Sequence, residues 1–111
     1  MRKLVFLSAI SALLATGPSL AQDGQTIFQS KGCTVCHDAQ QDRVAMGLGP
    51  SLKQISEAYK GQEDALTAFL KGQGEPKVYP DKYPIMKGQL AITQALPDDE
   101  LKALATYLTS H

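Results

Sequence analysis

The run Lys31-Gly32-Cys33-Thr34-Val35-Cys36-His37 constrains this chain more than any other stretch of it. It holds both cysteines of the 111-residue sequence and one of its two histidines. A structural disulfide between Cys33 and Cys36 would leave His37 without a role. A thioredoxin-like Cys-x-x-Cys requires a preceding strand in a βαβ frame, and no segment alternates long enough to supply one. A zinc site requires four ligands, and the second histidine, His111, stands 74 residues beyond the first at the last position, too isolated to complete one.

Cys-x-x-Cys-His is the signature of c-type haem attachment. Two thiols three residues apart can each bond one former vinyl group of a porphyrin. The next residue is then carried beneath the iron, where an imidazole nitrogen ligates it. One covalent haem c on Cys33 and Cys36, with His37 on the iron, is the expectation.

The start of the chain sets the compartment. Arg2 and Lys3 precede an apolar run from Leu4 to Leu14, then Gly17 and Pro18, then small residues at Ser19 and Ala21. That order of charged, apolar and small residues is a secretory signal. The expected division is a signal peptide over residues 1–21, cleaved after about Ala21, and one domain over residues 22–111. The apolar run is about a dozen residues, short of the roughly 20 that a membrane span needs. Stable membrane insertion is therefore not expected, and the periplasm is the expected location.

A second axial ligand follows by elimination. Met1 leaves with the signal and His111 ends a predicted helix, so Met46 and Met86 remain. Met46 lies nine residues after His37, a reach of at most about 30 Å when fully extended, with little slack for rounding a porphyrin edge. Met86 is separated from His37 by two helical segments and can approach from the other face. It ends a stretch in which Pro76, Pro80 and Pro84 recur every fourth residue. Each proline fixes its own φ and biases the residue before it toward extended backbone. A stiffened loop lowers the entropy lost in holding a weak thioether on iron.

With these residues in place, the chain from about 23 to 110 resembles a small monohaem class I cytochrome c of the bacterial type. The resemblance rests on Cys33-x-x-Cys36-His37, Gly49-Pro50-Ser51-Leu52, Ile85-Met86-Lys87 and a Leu-rich terminal helix. It implies an all-α cytochrome c fold, thioether bonds at Cys33 and Cys36, and His37 and Met86 as axial ligands. It also implies a second-shell role for Pro50, whose carbonyl would accept the Nδ1–H of His37. Many small relatives place a tryptophan near the haem propionates. This chain has none, which leaves Tyr59, Tyr79 and Tyr83 as alternatives.

About four short helices are expected around the haem. Asp23 can cap Gly24 to Lys31. Leu52, Ile55, Ala58 and Tyr59 recur at helical spacing until Gly61, and Leu66, Phe69 and Leu70 do so until Gly72. The last helix opens at Pro97-Asp98-Asp99-Glu100 and buries Leu101, Leu104, Ala105 and Leu108. Gly24 and Phe28 share a face of the first helix and Leu104 and Tyr107 a face of the last, and the resemblance implies that these two helices cross closely there.

The function expected from this set is electron transport without catalysis. No nucleophile–base pair presents itself, and two axial ligands leave iron no open position while still permitting one-electron exchange. The alternative is a haem c subunit of a periplasmic oxidoreductase, for instance one acting on inorganic sulfur compounds. The expected partners are donor and acceptor redox proteins, met by a monomer. Nucleic acid is excluded because 11 Lys+Arg balance 11 Asp+Glu, leaving no excess of phosphate-neutralising cations. Without Arg2 and Lys3 the remaining chain has nine bases against eleven acids. Lys77, Lys82 and Lys87 face one acid, Asp81, around Met86, a local excess suited to an acidic partner.

Overall fold

The computed structural model describes residues 23–111. Six α-helices run through them: α1 (Gly24–Ser30), α2 (Leu52–Ala58), α3 (Glu63–Leu70), α4 (Tyr83–Lys87), α5 (Leu90–Gln94) and α6 (Asp98–Leu108). Three 3-10 turns, Cys33–Val35, Val44–Met46 and Pro80–Lys82, punctuate the connections. No strand occurs among the described residues. The all-α class is as expected.

Local chemistry sets the helix boundaries. The Asp23 carboxylate accepts the Thr26 N–H at 2.8 Å and so begins α1. Gly32, at φ 76, then turns the chain out of the helix and into the Cys33–Val35 turn. Such a left-handed position strongly favours glycine. At α2 the Ser51 hydroxyl accepts the Gln54 N–H at 3.1 Å, and the Gln54 Oε1 accepts the Ser51 N–H at 3.0 Å. This reciprocal box satisfies two donors that have no partner inside the helix.

The first and last helices cross closely at Gly24. A Cβ added there would meet the Ala103 carbonyl oxygen and lie 2.5 Å from the Tyr107 Cβ. Beside it the Phe28 and Tyr107 rings pack with centroids 5.5 Å apart. The α6 stripe Leu101, Leu104, Ala105 and Leu108 is buried as the spacing predicts. With Ile27, Leu52 and Leu66 it forms the shared core.

Helices α4 and α5 are additional to the four expected, and the stretch expected as a stiffened loop becomes helical from Pro80 to Lys87. Pro84 stands in the first turn of α4, where a missing N–H costs no intrahelical bond. Tyr83, although it precedes Pro84, is helical at φ −50 and ψ −38. Its ring rests against Phe69 at 5.9 Å between centroids. Tyr79, before Pro80, is left-handed at φ 48 and ψ 63 rather than extended. After α4, Leu90 and Thr93 bury one side of α5. The buried Thr93 hydroxyl lies 2.6 Å from the Leu70 carbonyl oxygen, which ties α5 to α3.

Candidate functional site

The Cys33–Val35 turn is closed by the Cys36 and His37 N–H groups, which both donate to the Cys33 carbonyl at 3.2 and 3.0 Å. The segment behind it is held by Gly49 N–H to Cys36 O at 3.0 Å and Leu52 N–H to Asp38 O at 2.8 Å. These bonds place Cys33, Cys36 and His37 on one wall of a cavity of about 1200 Å³, open mouth included. Phe28, Ile55, Leu66, Phe69 and Leu104 give it an apolar lining.

His37 is oriented by its neighbours. Its Nδ1 lies 2.8 Å from the Pro50 carbonyl oxygen. A carbonyl can only accept, so Nδ1 carries the proton and Nε2 keeps its lone pair. Burial lowers the tendency of the ring to protonate, and the Pro50 bond opposes this only in part. The imidazole is therefore neutral near pH 7, as a metal ligand must be. Gly49 lets the backbone lie against the ring, since a Cβ there would sit 2.6 Å from the His37 Cε1. Burial likewise pushes the Cys33 thiol up.

Met86, on α4, lines the same cavity and packs against the core from a half-buried position. Met46 does not line it and is 66% exposed. The structure thus brings Cys33, Cys36, His37, Pro50 and Met86 to one cavity and leaves Met46 outside. The donor set of two thiols, one oriented neutral imidazole and one thioether among apolar walls suits a covalently attached haem c.

The tyrosines divide by what their hydroxyls do. Tyr59 is 2% exposed; its hydroxyl donates to the Glu75 carbonyl at 3.2 Å and accepts the Lys77 N–H at 3.3 Å. Burial raises its pKa above the ordinary phenol value. The Tyr79 hydroxyl donates to Asp42 and accepts from the Gln54 Nε2 at 3.1 Å. Tyr83 lines the cavity through α4. The Tyr79–Asp42 contact joins positions 37 residues apart, and no local sequence signal announces it. The Ser51-x-x-Gln54 box, by contrast, has a local sequence signature, the capping spacing that starts α2.

Among the described residues no helix is long and apolar enough to cross a membrane. The family model of cytochrome c matches residues 21–111. The chain is 32% identical to a cytochrome c-553 of Nitratidesulfovibrio vulgaris, over 98% of each sequence. It is 31% identical to a cytochrome c-551 of Pseudomonas aeruginosa, over 92% of this chain and 94% of the other. A cytochrome c-553 of Helicobacter pylori is 30% identical over 97% of this chain and 96% of its own length.

Proposed function

The chain belongs to the cytochrome c family, and from that premise we propose that it is an exported, periplasmic one-electron carrier whose haem iron is held between His37 and Met86. The observation that carries this reading is the composition of the cavity wall. It gathers Cys33, Cys36, His37 and Met86 and leaves the other methionine of the domain, Met46, outside.

Bound haem c supplies a single Fe(III)/Fe(II) couple. Cys33 and Cys36 anchor it covalently. His37, its tautomer fixed by Pro50, gives a strong and oriented nitrogen. Met86 gives a soft thioether, which favours the reduced state and raises the potential. With His37 and Met86 both holding the iron, the bound group would exchange electrons and would offer a substrate no site. The apolar walls keep water away, so little solvent has to rearrange when the charge changes.

Docking follows from the rim. Lys31, Lys77 and Lys82 line the cavity, and Ile85 beside them is 49% exposed. An apolar edge among lysines suits brief contact with an acidic face on a donor or acceptor, mainly by speeding encounter. Export rests on the Arg2, Lys3, Leu4–Leu14 and Ala21 pattern, which lies outside the described residues.

A potentiometric titration of the holo-protein, followed by its visible spectrum, tests the carrier reading. A reversible one-electron curve with a low-spin spectrum in both states supports it. A high-spin ferrous form that takes up carbon monoxide on mixing contradicts it, because that requires an open axial position.

A further inference from the structure

Tyr79 is the one non-glycine residue with positive φ among the described residues, at φ 48. A bulky side chain is uncommon there and needs surrounding contacts to hold it. Tyr79 leads directly into the Pro80–Lys82 turn and then into α4, which carries Met86. Its conformation therefore sets where that segment starts and in which direction it runs.

The contacts that hold Tyr79 come from the segment between His37 and Pro50 and from α2. Its hydroxyl donates to the Asp42 Oδ2. The Gln54 Nε2 donates to the Tyr79 hydroxyl at 3.1 Å and to the Asp42 Oδ2 at 3.3 Å. Both partners are themselves fixed by backbone. The Asp42 Oδ1 accepts the Val44 N–H at 2.9 Å, and Gln54 is one half of the box that starts α2. That box adjoins Pro50, whose carbonyl orients His37. A short run of bonds thus connects the seat of one axial residue to the segment bearing the other.

We propose that Tyr79, Asp42 and Gln54 form a latch that positions the Met86 segment across the cavity and holds its thioether on the iron. The proposal rests on the reading of Met86 as an axial ligand. The latch lies at the surface: Asp42 is exposed, and Tyr79 and Gln54 are half-buried. It covers little apolar area, so its effect is on the placing of the segment more than on the core. A thioether on a tethered segment competes with free ligands at an effective concentration set by how tightly the segment is confined. With the latch broken, Tyr79 is free to leave its left-handed conformation, and the segment samples open positions more often.

The test is displacement of the thioether by imidazole in the ferric holo-protein, followed by loss of the far-red thioether–iron charge-transfer band. The variants are Tyr79→Phe, Asp42→Asn and the two combined. Each single change is expected to speed imidazole uptake by about fivefold, the scale of one lost charge-assisted hydrogen bond at a partly exposed position. The double variant should be no faster than the singles, because they break the same contact. Amide hydrogen exchange over residues 80–87 should rise while that of α1 and α6 stays put. Asp23→Ala, which removes the α1 cap instead, should lower urea stability without changing imidazole uptake.

Unchanged uptake in both singles, fully additive effects, or an equal response from Asp23→Ala would overturn the latch. The parent spectrum separates the two readings. A far-red band lost in Met86→Ala, together with imidazole uptake that Tyr79→Phe leaves unchanged, keeps Met86 as ligand and removes the latch. A parent protein without that band, or one that keeps it in Met86→Ala, removes both.

Discussion

The Nδ1 of His37 lies 2.8 Å from the carbonyl oxygen of Pro50, and the residue before that proline, Gly49, has no side chain to push the ring away. A Cβ at Gly49 would stand 2.6 Å from Cε1 and 2.8 Å from Nδ1 of His37. Gly49→Ala should therefore displace the imidazole and stretch the Pro50 bond. The expected cost is about 1–3 kcal/mol of unfolding free energy, the usual range for overpacking. A lower reduction potential should accompany it. Urea unfolding and a redox titration of the same preparation check the two together. A variant with both parent values would mean that the ring has room the structure does not show.

Gly24 makes a different demand. There the obstacle is the α6 backbone at Ala103 together with the Tyr107 Cβ. Gly24→Ala should force the α1–α6 crossing apart and cost about 2–3 kcal/mol, while the haem spectrum stays that of the parent. Gly88 is the contrast. Its nearest obstacle is the Ile85 carbonyl oxygen at 3.7 Å, and its φ of −67 suits any residue. Gly88→Ala should be neutral or stabilising by up to about 1 kcal/mol, because alanine restricts the unfolded chain. Urea midpoints for the pair decide the point.

Four of the six helices could be read from apolar spacing because each buries a stripe against a neighbour. Leu101, Leu104, Ala105 and Leu108 on α6 are the clearest case. The haem motif and its cavity partners were legible for a chemical reason: few residue types can bond a porphyrin or ligate iron, and the chain has few of them. The short helices α4 and α5 were not legible. Pro80 and Pro84 suggest extended backbone, yet a proline in the first turn of a helix loses no hydrogen bond, and Tyr83 shows that the residue before it can be helical when its ring finds a partner such as Phe69. Leu90 and Thr93 were too short a stripe to stand out. The Tyr79–Asp42 pairing depends on the tertiary fold and leaves no local trace.

The same pairing gives the chain a pH signature at both ends. The Tyr79 hydroxyl, and then the Val44 N–H, hold the Asp42 carboxyl below its ordinary value of 3.8. A depressed carboxyl contributes stability that is present above the ordinary value and lost as pH falls through the folded one. Asp23, held down by the Thr26 N–H, adds to the acid limb. The Asp42 bond raises Tyr79 above its ordinary 10.0, so that contribution is present below pH 10 and lost as pH rises through the folded value. Asp23 and Asp42 are exposed and Tyr79 is only half-buried, so each effect is small and salt-sensitive. Asp42→Asn should flatten part of the acid limb in urea midpoints measured against pH, and Tyr79→Phe part of the alkaline one. Limbs identical to the parent's in both variants would contradict the assignment.

The proposed ligation of iron by His37 and Met86 is decided by the ferric spectra of the holo-protein and its Met86→Ala variant. The expected result is a far-red thioether–iron charge-transfer band in the parent that vanishes in Met86→Ala, with haem still covalently bound after denaturation through Cys33 and Cys36. A band that survives in Met86→Ala would contradict it and point to another sulfur on the iron.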